Sequence, residues 1–200
     1  MKQVSTLSSA GIVGFKAQYT LTLLPNEAAY QLMIESQKEI NILMLQSTIN
    51  IDLLDAEDIP AQVSFPNIDI SQTTNQFLVT LKLSEPTNRV VLKIRASEGL
   101  YGSLNVFIIP QQTESKICKR LDIPILPLSL HEKVSSLPST EDLELSSITL
   151  TGSFSQNDIL NWISSCLPNV PKLNENDETK LYYKSTFIGT FLAIVLSNER

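Results

Sequence analysis

Little in this chain is suited to chemistry. Among 200 residues there is one histidine, His131, one tryptophan, Trp162, and two cysteines, Cys118 and Cys166. The cysteines are far apart, and the sequence holds no Cys-x-x-Cys pair and no Cys/His cluster. That argues against a zinc site and against a disulfide framework, and two free thiols suit a reducing compartment. Positive charge is also short, with 15 Lys and Arg against 21 Asp and Glu, a net charge of -6. Nucleic-acid binding rests on clustered Lys and Arg that neutralise phosphates, and polybasic membrane contact needs the same clusters. Neither is expected here. Long apolar runs are missing too. The opening MKQVSTLSSAGIVGF has too weak a run for a signal peptide. The last apolar run, FIGTFLAIVL, falls well short of the ~20 residues a spanning helix needs.

What is present is material for a core. Apolar residues make up 42% and charged residues 18%, ordinary values for a folded chain. After a small, polar stretch expected as a tail (1–14), period-two apolar runs follow one another. They fall at Ala17–Leu24, 29–36, 39–47, 61–65, 76–83, 89–96 and 102–109. Turn chemistry separates them, at Pro25-Asn26-Glu27, Glu85-Pro86-Thr87-Asn88 and Glu98-Gly99. Short strands with regular punctuation and no helical period predict an antiparallel immunoglobulin-like β-sandwich over 15–112. Leu21 and Leu23, like Leu81 and Leu83, alternate with polar residues, the mark of a sheet with one buried face and one wet face. The acidic run Asp52, Asp55, Glu57, Asp58 lacks the spacing and the turn glycine of a calcium loop and is expected as a solvated loop. No metal or cofactor site is expected anywhere.

The pattern breaks at Pro110-Gln111-Gln112-Thr113. The stretch 113–128 carries Pro124, and proline restricts it to an edge strand or an extended connector. Beyond it, a small α+β unit is expected over 129–200: a strand at 147–151, a helix at 156–167, an acidic loop at 174–179, and strands at 180–185 and 191–197. The chain stops before that unit looks complete.

The junction ITLTGSFSQNDILNWISSCLPNVP invites a catalytic reading, with Ser153 or Cys166 as nucleophile. A nucleophile elbow needs G-x-S-x-G, and Gly152-Ser153-Phe154-Ser155-Gln156 lacks the second glycine. Any triad would depend on His131, which sits in an alternating, strand-like run. The helix has its own structural account. Ser155 and Asp158 are spaced as a capping box, and Ile159, Trp162, Ile163, Cys166 and Leu167 form one apolar stripe. Cys166 is then a buried, inert thiol, and Trp162 a core residue. The alternative for Trp162 is a partly exposed anchor in a peptide groove. No catalytic residue is assigned.

Four long, irregular strings carry a resemblance: INIDLLDAEDIPAQVSF, VVLKIRASEGLYGSLNVFIIP, PLSLHEKV and ITLTGSFSQNDILNWISSCLPNVP. In this order they resemble the Bardet–Biedl syndrome 7 family of BBSome subunits, from about Tyr19 to Phe191. The resemblance implies a gamma-adaptin-ear-like sandwich followed by the start of a platform domain, and no enzymatic activity. It implies a place among other subunits of a coat-like complex that moves membrane-protein cargo into and out of cilia. It further implies a location in the cytoplasm and at the cilium and its basal body, peripheral to the membrane and without insertion into it. The family's propeller and coiled-coil segments have no counterpart in these 200 residues. A stand-alone ear-type adaptor for short peptides is the competing expectation.

Overall fold

The computed structural model describes residues 14–65, 77–111, 117–138, 146–171 and 179–197. Nearly all of the expected tail, and the acidic loop up to residue 178, lie outside the described residues. The chain divides into two compact units, the first Met1–Leu24 with Ala28–Ile125 and the second Leu126–Arg200 together with the short segment Pro25–Glu27.

The first unit is wholly antiparallel. Its strands are β1 (Ala17–Leu24), β2 (Ala29–Ser47), β3 (Ile51–Leu54), β4 (Ala61–Ser64), β5 (Phe77–Ala96), β6 (Gly102–Pro110) and β7 (Lys119–Ile125). Two of them are far longer than the runs expected from sequence. Residues 29–36 and 39–47 are one strand, β2, and residues 77–83 and 89–96 are one strand, β5. The expected turn at Glu85-Pro86-Thr87-Asn88 is therefore not a reversal. The chain passes straight through it from one half of the sheet to the other.

Pairing shows the two halves. The first part of β2 lies between β1 and the end of β5, which in turn borders β3. The second part of β2 lies between the start of β5 and β6, with β4 and β7 outside them. The register between β2 and β5 slips between Glu35 and Ile42. The two shifts cancel, so the pairing is the same on both sides, and the irregular backbone between them turns both strands over together. Accordingly Tyr30, Leu32 and Ile34 are buried before the slip, and Leu43 and Leu45 after it. β5 changes phase in the same way, from Phe77, Val79 and Leu81 to Val90, Leu92 and Ile94. The two halves thus turn their apolar sides to a common core, as a sandwich requires. Side chains replace the interrupted ladder at the crossing: Asn88 Nδ2 donates to the Ser36 carbonyl (3.0 Å), and Ser36 Oγ accepts from Lys38 N (3.2 Å).

The stretch expected as a solvated acidic loop is more ordered than its charges suggest. Its start is β3, with Ile51 buried and Leu53 half-buried. Asp55 has a left-handed backbone (φ 51°) and pairs with Lys93 Nζ at 2.8 Å. Alternation of Ile51 and Leu53 with Asp52 was the strand signal, masked by the acids that follow. β7, inside the stretch 113–128, runs beside β6 at the margin of the sheet. Pro124 is exposed there, where a missing N–H costs no interior ladder bond.

The second unit holds β8 (His131–Val134), α1 (Gln156–Ser164), β9 (Thr179–Ser185) and β10 (Phe191–Leu196), with the strands in the antiparallel order β10-β9-β8. Leu160, Leu167, Leu181, Tyr183 and Leu196 are its core, and Leu128, Ile159, Ile163, Val170, Leu192 and Ile194 pack on them. The strand expected at 147–151 is not formed. Its alternating residues find no ladder among the described strands, and Ile148 and Leu150 stand 90% and 85% exposed. The helix is shorter than expected as well. Ser164 Oγ donates to Asn161 O (2.7 Å) and Ser165 Oγ to Trp162 O (2.6 Å). Such back-bonding competes with the backbone ladder and closes the helix.

Tyr183 carries a testable anomaly. It is fully buried, and among the described residues its hydroxyl has no hydrogen-bond partner. An unsatisfied buried hydroxyl costs ~1–3 kcal/mol. Burial also pushes its pKa above 10.0. Because the folded value is the higher one, the stability associated with the neutral phenol is complete below pH 10 and is lost as pH rises through the folded pKa. Tyr183→Phe is therefore expected to raise the urea midpoint at pH 7 by the equivalent of ~1 kcal/mol and to blunt unfolding above pH 10. A lower midpoint at pH 7 would show that the hydroxyl is satisfied after all.

Candidate interaction surface

The junction ahead of α1 is built as the capping pattern predicts. Ser155 Oγ accepts from Asp158 N (3.1 Å), and Asp158 Oδ2 accepts from Ser155 N (3.3 Å), a reciprocal capping box. Asp158 also faces the positive end of the helix dipole. This fixes the direction from which the chain enters the helix and so places Phe154.

Phe154 turns back along the helix and meets Trp162 edge to face, with ring centroids 5.1 Å apart and planes at 73°. Aromatic pairs favour this arrangement because the positive ring edge meets the negative face. Gly152 permits it: a methyl group there would collide with the Phe154 ring. Both rings remain open to solvent, Phe154 at 48% and Trp162 at 54%. Trp162 as a core residue is thus corrected. The inward side of α1 is formed by Leu160 and Ile163, continued by Leu167 just past the helix. Trp162 stands two residues from Leu160, about 200° around the helix at 3.6 residues per turn. The apolar stripe is rotated by the leucine that the sequence reading left out of it.

The other residues singled out from sequence are dispersed in role. Ser153 is exposed in the turn before the cap. Cys166 lies past the helix, partly buried, and its carbonyl accepts from Leu128 N at 3.0 Å. His131 is buried in β8 opposite Ser185. Cys118 is at an exposed position, yet burial of its sulfur pushes the thiol pKa up, against a smaller opposing effect from a backbone hydrogen bond at Ile108. Since the thiolate is the nucleophile, Cys118 is expected to alkylate more slowly at pH 7.5 than free cysteine. Mass spectrometry after timed iodoacetamide treatment measures this, and a faster rate would contradict it. Among the described residues no group of three or more His, Cys, Asp or Glu could hold a metal ion, and no helix is long and apolar enough to cross a membrane.

An antiparallel sandwich followed by a small α+β unit with a capped helix over its sheet defines the ear-and-platform class. Residues 14–122 match the family model for the BBS7 GAE domain, and residues 131–200 match that for the BBS7 platform domain. The chain belongs to the BBS7 family. It is 33% identical over 192 residues to the mouse (Mus musculus) BBSome complex member BBS7, covering 96% of this chain and 26% of that protein. It is 26% identical over 202 residues to the Caenorhabditis elegans BBSome complex member bbs-7, covering 98% of this chain and 27% of that one. The chain thus spans about a quarter of the length of these relatives. The two family matches leave a gap from 123 to 130, and the structural division after Ile125 falls inside it.

Proposed function

We propose that this chain is a non-enzymatic interaction module of a BBSome-like coat complex that serves ciliary membrane-protein trafficking and cilium assembly. What carries this reading is the ordered pair of family matches, ear then platform, together with 33% identity along 192 residues to a named complex member. On this reading the ear comprises the seven-stranded unit up to Ile125 and the platform begins at Leu126. Its partners are other subunits, cargo is contacted through the assembly, and the protein resides in the cytoplasm and at the cilium and basal body as a peripheral component. Neither Ser153 nor Cys166 has a catalytic role on this reading. The test is affinity purification of the tagged chain from ciliated cells, followed by native mass measurement. A constant, stoichiometric set of large partners is expected, and its absence would overturn the assignment.

A second reading has one observation in its favour. The Phe154–Trp162 pair is exposed and held in place by the capping box, as suits an anchor for short peptides. A stand-alone ear-type adaptor would bind such motifs in the micromolar range, about -8 kcal/mol. Trp162→Ala would then abolish peptide binding while leaving the fold intact, whereas a chain that works as a fixed subunit would retain its large partners.

A further inference from the structure

β10 ends its sheet. In the order β10-β9-β8 it pairs with β9 on one side, and among the described residues no strand pairs with the other. A free edge is a row of donors and acceptors open to a further strand, and proteins ordinarily blunt it with charge, proline, a bulge or short length. The other marginal strands follow that practice. β3, β4 and β8 are four residues long, and β8 carries Glu132 and Lys133. β7 carries Lys119, Arg120, Asp122 and Pro124. β1 is uncharged but intersperses Gln18, Thr20 and Thr22. β10, Phe-Leu-Ala-Ile-Val-Leu, has no charge, no proline and no polar side chain, and its register with β9 runs unbroken from Phe191 to Leu196.

The turn before β10 shows which of its backbone groups are free. Ser185 N donates to Thr190 O (2.8 Å), so Thr190 turns its backbone toward β9. Successive residues of an antiparallel strand alternate sides. Leu192, Ile194 and Leu196 therefore bond toward β9, and Phe191, Ala193 and Val195 aim N–H and C=O at the open edge. Side chains are sorted by the same alternation. Leu192 and Ile194 pack on the platform core, while Ala193 and Val195 are exposed on the opposite face, Val195 at 55%.

Such an edge is complementary to itself. An antiparallel pair of β10 strands centred on Ala193 sets Phe191 opposite Val195 at each end and Ala193 opposite its own copy. All three outward residues then enter ladder bonds, about six in all. Moving the centre to Leu192 or Ile194 leaves only two of the three pairs within the strand. Phe opposite Val is a favourable aromatic–β-branched pair, and no like charges face each other. On the core face, Leu192 meets Ile194 of the second copy. The cations nearest the seam are Lys180 and Lys184, opposite Val195 and Phe191 on β9, with Lys133 one strand farther out on β8. Each β9 would lie three strand spacings from its copy, about 14 Å. That exceeds the screening length of about 8 Å at physiological salt, so these lysines do not hold the edges apart.

We infer that β10 is a self-association edge: two copies of the chain join through antiparallel β10 strands centred on Ala193, fusing two three-stranded sheets into one. The contact is isologous and closes at two copies, because pairing consumes both edges. It goes beyond the proposed function and does not depend on it.

The test uses the purified full chain. Sedimentation at rising concentration should show a monomer–dimer equilibrium that stops at two copies and strengthens with added salt. Val195→Lys places a charge opposite Phe191 at an exposed position. It should keep the melting curve of the dilute wild type and weaken the dimer at least tenfold. In a Cys118→Ser background, Ala193→Cys should form an interchain disulfide under mild oxidation, because its opposite Cα stands at about 5.5 Å, within disulfide reach. Val195→Cys, which faces Phe191, should not. A chain that stays monomeric into the millimolar range overturns the inference, as does a dimer that Val195→Lys leaves intact. Masses that climb past the dimer, or a dimer with no Ala193→Cys cross-link, overturn the centred pairing and the inference with it. Should Val195→Lys fail to fold, the two cysteine variants decide alone. No other protein is present in these measurements, so recovery of an assembly from ciliated cells judges the proposed function separately.

Discussion

Leu45→Ala is expected to remove about 3–5 kcal/mol of stability from the ear, the range measured for large-to-small changes at well-packed sites. Leu45 is fully buried on β2, with Val79 of β5 opposite it on one side and Val106 of β6 on the other. Both neighbours lie in the sheet's hydrogen-bonded interior, so neither backbone can move in to fill the space. The loss combines the transfer free energy of the deleted carbons with the cost of the cavity they leave. Domains of this kind have net stabilities of about 5–15 kcal/mol, so one such change consumes a large part of the margin. Urea titration followed by circular dichroism measures it. The midpoint should fall with little change in slope, and a shift worth less than about 1 kcal/mol would mean that the site collapses around the smaller residue.

The second large effect reverses an intuition about side-chain size. Leu160→Ala is expected to cost about 2–5 kcal/mol, because Leu160 is buried in the platform core. Trp162→Ala, two residues away, should cost about 1 kcal/mol, since Trp162 is more than half exposed and its chief specific contact is the Phe154 ring. The single tryptophan reports on itself. Its native emission should already be red-shifted and open to acrylamide quenching, and unfolding should change it modestly. Strong protection from quencher, or a Trp162→Ala penalty larger than that of Leu160→Ala, would place the indole in the core and contradict the geometry.

These residues also show where sequence is readable and where it is not. The alternation of Leu21 with Leu23 and of Leu81 with Leu83 identified strands, because a strand's period of two survives in any register. The capping box was legible because Ser155 and Asp158 interact across three residues, entirely within the local chain. Trp162 was misplaced because hydrophobicity alone does not orient a helix. The core that Leu160 shares with Leu181 and Tyr183, on a strand more than 20 residues away, sets the rotation. The length of β2 and β5 was hidden for a related reason. Pro86 and Asn88 are turn-forming residues by local chemistry, and only the pairing of Asn88 with Ser36, 52 residues earlier, shows that the chain continues. Phe187 and Ile188 read in sequence as part of one apolar run, and only the folded chain shows them exposed.

The passage of β2 and β5 through both halves of the ear has a consequence for its motions. A sandwich of two separately closed sheets has a seam along which one layer can loosen while the other persists. Here each layer borrows its central pair of strands from the other, and those strands are neighbours from Tyr30 and Ile94 to Ser47 and Phe77. Freeing the amides of Ile34 and Leu92 in one layer removes the support of Leu43 and Leu81 in the other. Hydrogen exchange at all four positions should therefore be governed by a single opening free energy, with no slower and faster layer. The ear therefore yields as one body or not at all.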